Sequence, residues 1–188
     1  MFCSIVCAQF RVLKDNLEKL NYKRNVADIK KDIKMNVQAH LQLLKACEVI
    51  NGIFSFGVLG QFAGSIFVIC FTSYELIFYS PDFSDFYLVL AYEIHLLSYM
   101  VCMLGQVAFY CYYGHNIMSE SSDIGQSIYL SNWYDSDLKI RKELMIFMER
   151  VKKPIILTAG ELFPLTVNTL RGILRSSYSF FAVLRQTK

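Results

Sequence analysis

The chain has 188 residues, enough for one domain, and is 54% hydrophobic and 15% aromatic with only 19% charged residues, where soluble domains carry roughly 25%. Its net charge of +3 is too slight for a protein that coats nucleic acid, and its apolar content excludes disorder and collagen. A mean hydropathy of +0.34 points instead to a helical membrane protein.

The first ten residues, Met1 to Phe10, carry no charge. They lack the basic start and small-residue cleavage site of a signal peptide. They are also too short to cross about 30 Å of hydrocarbon. The expectation is that they are the last turns of a helix that begins earlier.

From Arg11 to Lys45 apolar and charged residues alternate at helical spacing: Val12, Leu13, Leu17 and Leu20, then Ile29, Ile33, Val37 and Leu41. The pattern predicts amphipathic helices lying below the membrane. Val49 to Tyr74 then holds no Asp, Glu, Lys or Arg, which predicts a spanning helix. Gly52, Gly57, Gly60 and Gly64 include a small-xxx-small pattern, which permits close approach of another helix. Ser80 to Asp85 reads as a tight turn.

A second apolar run, Phe86 to about Tyr113, is interrupted by Glu93 and His95. Tyr92, Ser98 and Tyr99 flank that pair. Two readings fit it, a satisfied pair inside a helix bundle or the polar part of a mostly aromatic ligand cavity. Residues 137–153 carry another amphipathic stripe of Leu138, Leu144, Met145, Met148 and Val151. A third run follows Lys152, Lys153 and Pro154. Proline suits the first turn of a helix, which places its start there, with Gly160 and Pro164 able to break it. Glu161 is then either a carboxylate at a helix start or an attractor for cations.

Within that last run, Thr169, Gly172, Ser176, Ser179, Val183 and Gln186 recur every three or four residues and form a stripe of small or slim side chains. It either packs against another helix or lines a water-filled path with Val183 as a constriction. Arg171, Arg175 and Arg185 would repel cations on such a path, so they are expected to turn toward protein or snorkel.

Basic residues orient the chain. Nine lie between Arg11 and Lys45 against four acids, six lie in 117–153, and none lies in 80–85. Basic excess marks the cytoplasmic side, which places 80–85 outside and, after one further crossing, the C-terminus outside too. A G-protein-coupled receptor ends in the cytoplasm. The chemistry of enzymes is missing from the sequence: no Gly-rich phosphate loop, nucleophile elbow, zinc spacing or His-Glu-x-x-His motif is present. The six cysteines mostly lie in apolar runs and read as buried thiols. No enzyme activity, metal or cofactor is expected.

Four stretches together resemble the C-terminal part of an insect odorant receptor. His40-Leu41, Phe54-Ser55, Gln61-Phe62 and Ile69-Cys70 resemble that family's fifth transmembrane helix. Tyr110 to Gly114 with Glu120-Ser121 resemble the end of the sixth. Tyr129, Trp133, Pro154 and Ala159-Gly160 resemble the last cytoplasmic loop. Phe163-Pro164-Leu165 and Ser177 to Arg185 resemble the terminal motif. Gustatory receptors, a related group, are the alternative.

The resemblance implies an all-α fold, the end of helix four plus helices five to seven of a seven-transmembrane bundle. It divides the chain into 1–48 (fourth helix and cytoplasmic anchor), 49–79 (fifth helix), 80–87 (extracellular loop), 88–116 (sixth helix), 117–160 (cytoplasmic loop and anchor) and 161–188 (pore-lining seventh helix). It also implies a subunit of an odorant-gated, non-selective cation channel in the plasma membrane of an olfactory neuron's dendrite. Its partners would be the odorant receptor coreceptor in a hetero-tetramer, membrane lipid and a small volatile organic ligand, with no nucleic acid. On that basis the stripe becomes the pore face, with Ser176, Ser179, Val183 at the gate and Gln186 near the outer mouth. Tyr92, His95, Ser98 and Tyr99 become the positions nearest the ligand cavity. Helices two and three of the family have no counterpart in these 188 residues. The chain is therefore expected to be a fragment that does not bind odorant alone, and a truncated, non-conducting subunit that modulates the coreceptor is the competing role.

Overall fold

The computed structural model describes residues 2–22, 24–78 and 86–186, with the backbone alone at 76–78, 86, 180, 181 and 183–186. The helices are α1 (Phe2–Glu18), α2 (Val26–Phe78), α3 (Phe86–Ser122), α4 (Ile124–Leu130), α5 (Leu138–Val151) and α6 (Val167–Gln186). A 3-10 turn covers Trp133–Asp135, and a two-stranded hairpin pairs β1 (Thr158–Ala159) with β2 (Phe163–Pro164). The architecture is all-α. The turn expected at 80–85, and most of the loop 80–87, lie outside the described residues.

By their contacts the residues divide into two compact units, 1–53 with 113–158 and 54–112 with 159–188. The first unit has the core of a water-soluble bundle. Helix α1 buries Val6, Cys7, Phe10, Leu13 and Leu17 on one face. That face meets α4, which buries Ile124 and Ile128, and α4 in turn meets α5. Helix α5 is capped by Asp137, whose carboxylate accepts from the Leu138 N–H at 2.8 Å, satisfying one of the free donors of its first turn. The buried stripe of α5 is Ile140, Leu144, Phe147 and Val151, at spacings of four, three and four. Leu138 and Met145, expected on that stripe, are exposed, because Ile140 and Phe147 continue the four-three-four repeat where they do not. Val12 likewise points outward and Phe10 takes the inner place.

Polar groups fasten the joints of this unit. The Tyr22 hydroxyl shares a hydrogen bond with Ser131 Oγ at 3.0 Å, and Ser131 Oγ donates to the Ile128 carbonyl at 2.6 Å. Asn51 Oδ1 accepts from the Thr158 N–H at 2.7 Å. Glu120 receives Arg11 at 2.6 Å and Lys14 at 2.5 Å. Burial pushes the Glu120 carboxyl up, but the Lys14 and Arg11 hydrogen bonds and charges outweigh it and hold the group below its ordinary range.

The second unit follows different rules. On α2, Val58, Phe62, Ser65, Ile69 and Thr72 are buried, a single stripe at spacings of four, three, four and three. Around it Phe56 is 81% exposed, and Phe67, Phe71, Val101 and Phe109 also point outward. Helices α2 and α3 are both long and apolar enough to cross a bilayer, and only 28% and 6% of their most apolar windows are buried within the chain. Core helices of a soluble protein would be mostly buried; these leave most of their apolar surface open, as membrane-crossing helices do. The hydroxyls of Ser65, Thr72 and Ser73 donate to carbonyls one turn back at 2.6–2.7 Å, the local way to satisfy a polar side chain where water is absent.

A Cβ built on Gly52, Gly57, Gly60 or Gly64 meets nothing within 4 Å among the described residues. Gly57, Gly60 and Gly64 fall outside the Val58-Phe62-Ser65 stripe, so their open backbone is not used by the described residues. The last helix begins at Val167 rather than at Pro154. Residues 154–166 instead make the hairpin, because Gly160 and Glu161 both adopt left-handed φ values, +60° and +61°, which no helix accommodates. Glu161 sits on the tip of this turn, exposed, and not at a helix start. All six cysteines are free thiols, with Cys7, Cys47, Cys70 and Cys111 buried, in keeping with their reading as small apolar side chains.

Candidate functional site

Helix α6 presents three faces. Ile173 and Ser177, one turn apart, are buried, and the Ser177 hydroxyl donates to the Ile173 carbonyl at 2.9 Å. Arg171, Leu174, Arg175 and Tyr178 form an exposed bulky face. Between them runs the slim stripe, with Thr169 half-buried and Gly172, Ser176 and Ser179 exposed. A Cβ at Gly172 would meet nothing within 4 Å. At Gly172 the stripe therefore meets no other helix among the described residues. The side chains of Val183 and Gln186 lie outside those described.

On α3 the four residues expected near a ligand share one side of the helix: Tyr92 is half-buried, and His95, Ser98 and Tyr99 are exposed. The Ser98 hydroxyl donates to the His95 carbonyl at 2.8 Å, which fixes that serine to its own helix. Leu96 is buried. The structure thus gathers the four onto one face without enclosing them among the described residues. No hydrogen bond or ion pair joins Glu93 to His95 among those residues.

Three polar features were not singled out as sites from the sequence. Gln61 Nε2 donates to Gln106 Oε1 at 2.7 Å, a link between α2 and α3 inside the apolar runs. The visible signal was each glutamine's isolation in a stretch without charges. The Gly160 N–H donates to the Ser55 carbonyl at 3.0 Å, and nothing in the spacing announces that contact. In the first unit, a groove of about 1490 Å³ is lined by Ile33, Val37, Leu41 and Leu44 of α2, Ile146 of α5 and Leu157. His40 belongs to its wall, 5% exposed and edge-on to the Phe147 ring at 5.6 Å. Burial, then the nearby Arg150 charge, lowers the His40 pKa, and its Nδ1 has no hydrogen-bond partner among the described residues. No cluster of His, Cys, Asp or Glu among those residues could hold a metal ion.

Helices of spanning length with lipid-facing side chains, joined to a unit with a tightly packed core, define an α-helical membrane protein. The chain matches the family model described as the 7tm odorant receptor over residues 1–178, and it belongs to that family. Odorant receptor 85c of Drosophila melanogaster is 30% identical over 189 aligned residues, covering 98% of this chain and 46% of that protein. Odorant receptor 59b of the same species is 29% identical, covering 99% of this chain and 45% of the relative. The chain thus spans less than half the length of these relatives. The olfactory receptor OR5 of Machilis hrabei, solved in complex with eugenol, superposes with a TM-score of 0.86 at 16% identity, covering 99% of this chain and 46% of that one. That likeness establishes the fold.

Proposed function

We propose that the chain supplies the anchor and the pore helix of an odorant-gated cation channel subunit in the plasma membrane of an olfactory neuron. The observation that carries this reading is the stripe of α6. Gly172, Ser176 and Ser179 stay open while Ile173 and Ser177 take the packed side. A face of glycine and hydroxyls is a poor lipid surface, but repeated around an axis it forms a wettable wall. Val183 and Gln186 continue it toward the outer mouth. The partner is the odorant receptor coreceptor, in a hetero-tetramer. Arg171 and Arg175 lie on the other exposed face, off the cation path.

The ligand is a small volatile organic compound. Eugenol, bound by the Machilis hrabei receptor, is of that class: an aromatic body with few polar atoms. Tyr92, His95, Ser98 and Tyr99 offer such a molecule one aromatic wall with hydrogen-bonding tips. One wall alone does not retain a ligand, so the chain expressed by itself is expected to be silent.

Cysteine substitution tests the reading. Ser176→Cys and Val183→Cys, co-expressed with the coreceptor, are expected to make the cation current of the coreceptor complex sensitive to a water-soluble thiol reagent. Current that stays insensitive at both positions would overturn the pore assignment. A second reading, a non-conducting partner, is favoured by the apolar groove of the first unit, which leaves Leu41 and Ile146 exposed. It predicts coreceptor current that falls on co-expression with no thiol sensitivity.

A further inference from the structure

The hairpin ahead of α6 closes through the Leu162 N–H, which donates to the Ala159 carbonyl at 3.2 Å. Both loop residues, Gly160 and Glu161, are left-handed. That mirror-image turn matches the twist of a hairpin, but a glutamate in the left-handed region is strained. The surrounding structure must hold it, and the contacts of Gly160 show how. Its N–H is bonded to the Ser55 carbonyl of α2 at 3.0 Å. A Cβ added to it would lie 2.4 Å from Leu59 Cδ2 and 3.1 Å from Cγ. Only glycine, on steric and backbone grounds alike, lets the turn sit this close to α2.

At its other end the hairpin is tied to α6. The Pro164 carbonyl accepts from the Thr166 N–H at 2.9 Å and from the Thr169 hydroxyl at 2.5 Å. The Thr166 and Thr169 hydroxyls are 3.3 Å apart, and Leu165 between hairpin and helix is buried. Thr169 is the first residue of the slim stripe. A short chain of contacts therefore runs from α2 through Gly160 and Pro164 to the first turn of α6.

We propose that Gly160, seated on Leu59 and bonded to Ser55, is a positioning residue that sets the rotation of α6 and so decides which of its faces is open. Given the ion path proposed above for that face, Gly160 becomes a determinant of channel opening without touching an ion.

Accessibility of single cysteines tests the proposal without relying on conduction. Ser176→Cys reports the open face and Ser177→Cys the packed face, in the chain carrying Cys102→Ser to remove its exposed thiol, expressed in cell membranes with the coreceptor. In that parent, N-ethylmaleimide is expected to modify Cys at 176 about tenfold faster than at 177, the ratio that local protection of about 1.4 kcal/mol produces. Gly160→Ala is expected to bring the ratio close to one, and adding Leu59→Ala to restore most of it by clearing the seat. Glu161→Gly relieves the strained residue and keeps the seat, so the ratio is expected to hold. If Gly160→Ala does not accumulate, Leu59→Phe crowds the same seat without altering the backbone, and it is expected to lower the ratio instead. A parent ratio near one overturns both the face assignment and the proposal. A normal parent ratio that survives Gly160→Ala or Leu59→Phe overturns the proposal and leaves the pore reading standing. A ratio that collapses and is restored, in a complex whose cation current stays insensitive to thiol reagents at Ser176→Cys, supports the proposal and counts against the pore.

Discussion

The two units bury apolar surface by different rules. In the first, Phe10, Leu17, Ile124, Ile128, Ile140 and Leu144 are almost wholly enclosed, and the half-buried Glu120 is paired with Arg11 and Lys14. In the second, Phe56, Phe67 and Phe109 face outward and the buried stripes are narrow. Water drives the first arrangement, because each enclosed side chain is removed from it. Lipid cannot drive the second in that way, since hydrocarbon is as good a neighbour for Phe as another Phe is. What holds helices together there is close fit and a few hydrogen bonds. The same residue type should therefore carry different energetic weight in the two units.

Phe10→Ala is the largest test of that difference. Phe10 is fully buried on α1, and removing its ring leaves a cavity at a packed face. The expected loss is about 3–5 kcal/mol, read as a fall in the thermal midpoint of the protein in lipid nanodiscs and as loss of material on expression. A cost below about 1 kcal/mol would mean that the first unit is not the cooperative core described.

The difference between the units also explains what the sequence disclosed. The spanning helices were legible from the charge-free stretch Val49 to Tyr74 and the weaker run from Phe86, since lipid-facing helices must be apolar around most of their circumference. The amphipathic helices were legible as helices, but their inner faces were off by two positions where two apolar residues competed, as with Val12 and Phe10. Three-residue and four-residue spacings admit two nearly equivalent stripes, and only the facing helix decides between them. The hairpin was invisible for another reason. Pro154 read as a helix start, and the contact that disfavours one, Gly160 against Ser55 and Leu59, lies about a hundred residues away along the chain. The stripe on α6 was readable as a stripe because it depends on the local helical repeat alone. Its occupant depends on assembly, which one chain does not encode locally.

His40 and Glu120, two titrating groups of the first unit, come next in size. The His40 pKa is lowered, chiefly by burial and further by Arg150, so the folded state favours neutral imidazole. Its stabilising contribution is complete above the unfolded value of about 6.5 and declines as the pH falls through it. Glu120 is held below its ordinary range despite burial, by Lys14 and Arg11, so its contribution is complete above about 4.3 and is lost as the pH falls through the folded value. Melting between pH 8 and pH 5.5 should therefore drop in the parent and flatten in His40→Leu, whereas Glu120→Gln should alter only the more acidic limb. An unchanged pH 5.5–8 slope in His40→Leu would remove His40 from the account.

The smallest effects belong to the second unit. Gln61 and Gln106 are bonded at 2.7 Å, and hydrogen bonds between spanning helices are worth about 0.6 kcal/mol on average, because the separated helices also find partners. A double-mutant cycle with Gln61→Leu and Gln106→Leu is expected to return a coupling of that order in nanodiscs. Phe67→Ala is expected to cost less still, within about 0.5 kcal/mol, although it removes a whole ring. Its side chain is 65% exposed, so the ring exchanges protein contact for little and lipid fills the space. The comparison turns on this pair of phenylalanines: if Phe67→Ala proved as damaging as Phe10→Ala, its face would have to be covered by protein in the assembled receptor, and the outward aromatics of α2 would be a subunit contact instead of a lipid surface.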